Sequence, residues 1–290
     1  MKFDKNTKIL IVGLGLIGGS YAKALSDEGY FVGAIDKKKS SVEYALKNGL
    51  IQVGETSVKQ DFVKDFDLIV FALYPHDFIN WIKEYQSSIK SGALITDVTG
   101  VKSFVVENVQ KILRGDLEFV GAHPMAGKEV SGVENADSKI FVGANYIVTP
   151  TKKNTDENVQ AVKDLGRALG FERISSLSPE EHDETVGFLS HLTHCIAVSL
   201  MVSKKSHHLA EYTGDSFRDL TRIAKINDEM WSELFLANKD ELLKQMDLFE
   251  EKFNQLKEDI KNDNREKIRE TLRESTARRK VFDKDAKETK

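Results

Sequence analysis

Lys8-Ile9-Leu10-Ile11-Val12 runs straight into Gly13-Leu14-Gly15-Leu16-Ile17-Gly18, and no other stretch of the chain restricts its fold as strongly. A short β-branched apolar run suits a strand covered on both faces of a parallel sheet. Each glycine after it has its own use: Gly13 permits the tight turn, Gly15 lets the backbone approach a pyrophosphate, and Gly18 lets the next helix pack close to the sheet. Leu16 and Ile17 open that helix, which continues through Ser20 to Leu25. Its free N–H groups and positive dipole end are placed to hold an anion. A second strand, Phe31 to Ile35, ends at Asp36, an acid that accepts hydrogen bonds from an adenosine ribose and repels a 2′-phosphate. The expectation is a dinucleotide site preferring NAD to NADP, although Lys37, Lys38 and Lys39 pull the other way. A glycine turn by itself can be ligand-free; here strand, helix and terminal acid follow in order.

With 290 residues the chain can bury a large core and form about two domains. Its net charge is −4 with both signs interspersed, so there is no electrostatic footprint for nucleic acid or an anionic membrane. Cys195 is the single cysteine, which rules out an intramolecular disulfide and suits a reducing compartment. The N-terminus reads as a strand entry rather than a signal peptide, and no stretch is expected to span a bilayer. Together these predict a cytoplasmic protein.

From the start to about Ser175, apolar runs alternate with helical patterns, the signature of a doubly wound, Rossmann-type α/β domain. Strands are expected at 68–73, 93–96, 119–122, 146–149 and 171–175, with a helix from Asn154 to Leu169 ended by Gly170. Ser178 can cap a new helix and Pro179 can take its first position, after which the pattern stays helical. The expected division is therefore 1–176, binding NAD, and 177–290, an all-helical C-terminal domain. Phe249, Phe253, Leu256, Ile260, Ile268 and Leu272 form a stripe on that part, either a packed amphipathic face or a dimer seam. Beyond about Thr276 the apolar residues thin out and a frayed, solvated tail is expected.

Chemically useful residues should lie just after strands or on helices facing back across the crevice. His123-Pro124-Met125-Ala126-Gly127 is expected just past a strand; His123 is placed either as a general base or as a histidine bonded to a loop carbonyl. In Asp97-Val98-Thr99-Gly100-Val101-Lys102, Thr99 can offer a hydroxyl to cofactor or substrate, or Asp97 and Lys102 can pair across a turn. His191 and His194, three apart, share a helix face; with no third ligand at suitable spacing, they suit an anionic substrate or the backbone better than a metal. Arg218 and Arg222 can bind carboxylates bidentately, or pair with acids such as Asp219 or Glu229. His76, His207 and His208 read as loop or surface residues.

Taken together, GLGLIGGS, DVTGVKS, AHPMAGKEVSG at 122–132, HDETVGFLSHLTH at 182–194 and FRDLTRIAKINDEMW at 217–231 resemble the prephenate dehydrogenase family in order and spacing over most of the chain. The resemblance implies that His123 bonds the substrate hydroxyl, that His194 and Arg222 orient substrate carboxylates, and that His191, Asp183, Arg218, Glu129 and Trp231 shape the pocket or its gate. Gly100 departs from the pattern, standing where the family often has a serine that orients the hydroxyl, so Thr99 or water would have to substitute. Thr193 replaces a common proline, Lys128 a common threonine, and Asp215 lies in a stretch usually richer in glycine.

The resemblance further implies a homodimer formed through the helical domain and NAD-dependent oxidative decarboxylation of prephenate to 4-hydroxyphenylpyruvate, a step towards tyrosine. Arogenate is the alternative substrate. A β-hydroxyacid dehydrogenase would need a catalytic lysine on a helix, for which there is no convincing equivalent. A non-catalytic NAD sensor would have no need of a base beside the nicotinamide.

Overall fold

The computed structural model describes residues 1–205 and 208–282, and its chain divides into two compact units, Met1–Lys239 and Asp240–Lys290. In the first unit β1 (Lys8–Val12) leads through the glycine turn into α1 (Leu16–Asp27), then β2 (Phe31–Ile35), α2 (Lys39–Lys47), β3 (Val53–Glu55), the short α3 (Gln60–Val63), β4 (Leu68–Phe71), α4 (Pro75–Tyr85), β5 (Leu94–Asp97) and α5 (Ser103–Ile112). With β6 (Glu118–Phe119) these strands form a parallel sheet of order β3-β2-β1-β4-β5-β6. The order reverses beside β1, so the crevice at the strand ends opens where the glycine turn lies. The near-continuous apolar strands are explained by cover on both faces. Ile9 and Ile11 enter one apolar cluster with Tyr21, Val32 and Leu68, while Leu10 and Val12 enter another with Phe71, Phe78, Trp81 and Ile95.

The single strand expected at 119–122 is in fact two. After Val120 the chain leaves the parallel sheet as β7 (Gly121–Met125), which pairs antiparallel with β8 (Asn145–Thr149); α6 (Asp156–Ala168) then leads to β9 (Arg173–Ser176), parallel to β8. Two contacts explain the departure. Asp97 Oδ1, at the end of β5, accepts the Ala122 N–H at 3.0 Å, and a Cβ at position 121 would stand 2.5 Å from Thr149 Oγ1. Glycine alone fits there. His123 consequently lies within β7, opposite Ile147, not in a loop after a strand.

Ser178 and Glu181 form a reciprocal capping box with Pro179 in the first turn of α7 (Pro179–Val186). The helix widens into a π-helical stretch over Gly187–Leu192 and resumes as α8 (Thr193–Val202). By length and composition this 24-residue run, Pro179–Val202, which contains an 18-residue window of mean hydropathy 1.5, is long enough to cross a membrane, against the expectation that no stretch is. Its inner face nevertheless carries His182, Asp183 and His191, all buried in polar bonds within the unit. After α9 (Asp215–Thr221), α10 (Asp228–Ala237) completes the first unit; its Asn227 cap accepts the Met230 N–H.

The second unit carries most of α11 (Lys239–Lys261) and then α12 (Arg265–Arg279), joined by a turn in which Asp263 takes φ 51°. Phe249 and Phe253 stack with centroids 6.0 Å apart, and Phe253, Ile260 and Leu272 stay exposed. Residues 277–282 are exposed as expected, yet the chain stays helical through Arg279 rather than fraying there, and the remainder of the expected tail lies outside the described residues.

Candidate active site

Gly13 adopts φ 99°, and a Cβ there would stand 2.4 Å from the Ala72 carbonyl oxygen. At Gly18 it would stand 1.9 Å from the Gly13 oxygen, whereas at Gly15 nothing lies within 4 Å. Gly15 is the N-cap of α1 and supplies no capping side chain, so the N–H groups beginning at Leu16 and Ile17 have no side-chain cap. An open glycine in front of an uncapped helix start fits a pyrophosphate. Asp36 follows β2 as expected; its carboxylate accepts the Leu14 N–H at 2.6 Å and the Lys38 N–H at 2.7 Å, stapling the glycine turn to the strand end. Lys37, Lys38 and Lys39 are exposed beside it.

At the end of β5 the polar residues turn inward. Lys102 and Asp97 are both fully buried and pair at 2.6 Å. The Thr99 hydroxyl bonds Asp97 and the Val101 carbonyl and receives Lys102 Nζ at 3.1 Å. Of the two readings open from the sequence, the turn pairing is the one formed, and the Thr99 hydroxyl faces this pair rather than open space. Burial lowers the Lys102 pKa, and Asp97 opposes that shift.

His123 is half-buried, and its Nδ1 lies 2.9 Å from His182 Nε2. His182 Nδ1 lies 2.8 Å from Asp183 Oδ1. Asp183, expected in the substrate pocket, is 3% exposed. Its carboxylate accepts the N–H groups of Lys102 and Ser103, each at 2.8 Å, so a side chain of α7 serves the first turn of α5. Burial, then His182, Lys102 and His191, hold the His123 imidazole well below its ordinary pKa. Burial alone would raise Asp183, but the His182 contact and the two backbone bonds outweigh it and leave the acid lowered. A Cβ at Gly100 would stand 3.7 Å from His123 Nε2 and 3.6 Å from Leu234 of α10, so this position borders the His123 ring directly.

His191 is 1% exposed, bonded through Nδ1 to Asn238 at 3.3 Å, and edge-on to Trp231 and Phe235. Burial takes its pKa down to about 4. His194 stacks on Trp231 with centroids 3.7 Å apart. The Ser190 carbonyl can only accept, so His194 Nδ1 donates to it at 2.8 Å. Arg222 pairs with Glu129 from the loop after β7, and both act electrostatically on His194. Arg218 turns to Asp215 at 2.7 Å and the Thr213 carbonyl, a local pairing with a different acid from those expected. Arg222 lies past the end of α9 in a 3₁₀ turn, and the two arginines reach separate partners.

Glu129, His194, Arg222 and Trp231 are thus brought together; His191 lies behind Trp231, Asp183 behind His123, and Arg218 stands apart. His76, on α4, bonds Glu233, and His207 lies outside the described residues. Among the described residues no group of three or more His, Cys, Asp or Glu could hold a metal ion. His182 escaped the sequence reading. The available signal was that Pro179, His182, Asp183 and Val186 fall at helical spacing on one buried face, which puts ionisable groups at core positions.

The chain matches known proteins over both parts. A family profile described as "Prephenate dehydrogenase, nucleotide-binding domain" covers residues 21–173, and one described as "Prephenate dehydrogenase, dimerization domain" covers residues 178–274. The prephenate dehydrogenase of Bacillus subtilis (strain 168) is 35% identical over 249 residues, which are 82% of this chain and 66% of that protein. That of Lactococcus lactis subsp. cremoris (strain MG1363) is 32% identical over 257 residues, 86% of this chain and 70% of that one. A crystal structure of prephenate dehydrogenase from A. aeolicus in complex with hydroxyphenyl propionate and NAD+ shares the fold with a TM-score of 0.87 at 34% identity, covering 96% of this chain and 98% of that one.

Proposed function

Since the chain belongs to the prephenate dehydrogenase family, we propose that it catalyses the NAD-dependent oxidative decarboxylation of prephenate to 4-hydroxyphenylpyruvate. The observation that carries this reading is His123, an imidazole kept neutral by burial whose Nε2 borders the Gly100 backbone with no hydrogen-bond partner among the described residues. When bound on the glycine turn, NAD supplies the hydride acceptor. His123 Nε2 takes the proton of the ring hydroxyl as that carbon is oxidised to a carbonyl. The bond to the ring carboxylate then breaks, carbon dioxide leaves, and its electron pair completes the aromatic ring as a phenolate, to which the proton held on His123 returns. Aromatisation provides the driving force, while the chain contributes alignment and proton removal, the latter worth roughly 10²–10⁴ in rate.

Arg222 holds one carboxylate, and His194, whose pKa burial lowers in the free protein, takes up a proton as it orients the other; Trp231 forms the wall beside His194, and Glu129 occupies Arg222 until a dianion replaces it. His191 supports that wall, Arg218 lies at its margin, and Thr99 and Asp183 act from behind. Residues 1–176 form the NAD-binding part in this reading and residues 177–290 the substrate and dimerisation part, with the exposed stripe of α11 and α12 as the homodimer face. The lone Cys195 supports a cytoplasmic location.

Absorbance at the NADH band, with NAD and either prephenate or arogenate at saturation, tests the assignment. Turnover of prephenate is expected; turnover of arogenate alone would keep the chemistry and change the substrate. Silence with both, in folded protein that binds NAD, would refute it. The His123→Asn variant should lose kcat by about 10²-fold or more with KM little changed, and an unchanged kcat would remove the base.

A further inference from the structure

The buried His182 and Asp183 have no part in substrate binding, yet they complete an unbroken line of ring nitrogens and carboxylate ending at the base. We infer that His182 is the positioning residue that sets the tautomer of His123, so that Nδ1 carries the hydrogen and Nε2 the lone pair. The assignment deepens the reading of His123 as base and rests on it for its catalytic consequence, though not for its structural content.

The donors and acceptors can be assigned one after another. Asp183 Oδ1 and Oδ2 already accept the N–H groups of Lys102 and Ser103 at 2.8 Å each, as only an ionised carboxylate can do with both oxygens. A carboxylate cannot donate, so the 2.8 Å contact requires the hydrogen on His182 Nδ1. Fully buried, His182 is favoured in its neutral form, which leaves Nε2 as an acceptor. The contact 2.9 Å away must then be filled by a hydrogen on His123 Nδ1. Neutral His123 has one hydrogen to place, and Nε2 is left with its lone pair facing Gly100. An imidazole released from such a partner favours the opposite tautomer, with the hydrogen on Nε2 and no lone pair for the substrate. When Nε2 takes the hydroxyl proton, the Nδ1–H bond to His182 strengthens against the new cation, and Asp183 beyond it is the matching negative charge. No new bond is needed and nothing rotates.

The test compares His182→Asn with His182→Gln. Glutamine can place its carbonyl oxygen near the site of Nε2 and accept from His123, whereas asparagine is too short to reach it. For asparagine, kcat should fall roughly 10²-fold with KM for substrate and Kd for NAD unchanged; glutamine should restore most of that loss. Ring ¹⁵N shifts read the tautomer directly in the free protein. Wild type and the glutamine variant should show a protonated His123 Nδ1 and a bare Nε2, and the asparagine variant a shift towards the opposite form. A wild-type His123 with its hydrogen on Nε2 would overturn the inference, as would an asparagine variant with wild-type kcat and tautomer. If asparagine prevents folding, wild type and the glutamine variant still decide it through their spectra. Absent turnover of both substrates would sink the functional assignment and leave the spectra to decide the tautomer.

Discussion

Gly15 and Gly18, three residues apart in the same turn, should respond in opposite ways to one added methyl group. Gly15 takes φ −84°, a value any residue adopts, and a Cβ there meets nothing within 4 Å. Gly15→Ala therefore has only the helix-cap preference for glycine to lose, about 0.5–1 kcal/mol, or a few degrees of melting temperature in a unit of this size. The same methyl would project where a pyrophosphate approaches the N–H groups of α1. Displacing two charge-assisted bonds of about 1.5 kcal/mol each weakens NAD by about 3 kcal/mol, on the order of 100-fold in Kd. Gly18→Ala is the converse. Its Cβ would stand 1.9 Å from the Gly13 oxygen and 2.9 Å from Ala72 Cβ, and neither neighbour is the free end of a flexible chain. Such overpacking costs roughly 1–3 kcal/mol, or about 2–12 °C, before any ligand is added. Circular dichroism melts without NAD, followed by isothermal titration with NAD, separate the two effects. A Gly15→Ala protein that binds NAD like wild type would refute the placement of the pyrophosphate on this turn, and a Gly18→Ala protein that melts like wild type would refute the close packing of α1.

Arg222→Ala should mainly raise KM for a dianionic substrate, by roughly 10- to 100-fold for a lost charged bond of 1.5–3 kcal/mol; initial-rate kinetics with an unchanged KM would show that Arg222 only partners Glu129. Stability should fall with acid. His191 drops from 6.5 to about 4 on folding, so the unfolded chain takes up its proton first. Its contribution of about 3 kcal/mol is fully present above pH 6.5 and lost as pH falls towards 4. Urea midpoints measured across that window should decline, less steeply in His191→Gln, and equal slopes would refute the assignment. Phe253→Asp, on the exposed stripe of α11, should convert a dimer into a monomer in sedimentation velocity; a wild-type protein that is already monomeric at micromolar concentration would remove the proposed seam.

The glycine turn, its strands and the Ser178 cap with Pro179 behind it were legible because each is specified by residues within a few positions of one another. The split between β6 and β7 was not, since it depends on Asp97 reaching the Ala122 N–H and on Thr149 crowding position 121, contacts that only the assembled sheets create. Distance in sequence also hid the second rank of the candidate site. His123 stood out beside its strand, whereas the partner of its Nδ1 lies 59 residues away on another element. Asp183 was noticed for its place in a motif and assigned to the pocket, because nothing in the sequence says that Lys102 and Ser103 present their N–H groups to it. The two arginines looked paired on one helix face, but α9 ends at Thr221, and Arg222 follows the turn instead.

The carboxylate of Asp183 is shared between two tasks that selection would ordinarily adjust independently. It finishes the first turn of α5, and it anchors the histidine behind His123. A lineage losing this acid would suffer in folding yield and in turnover at once, and no compensating change at a single position could restore both. Changes selected by laboratory evolution should therefore accumulate around Glu129, Arg222 and Gly100, where one position answers to one requirement, and leave the α5–α7 junction untouched.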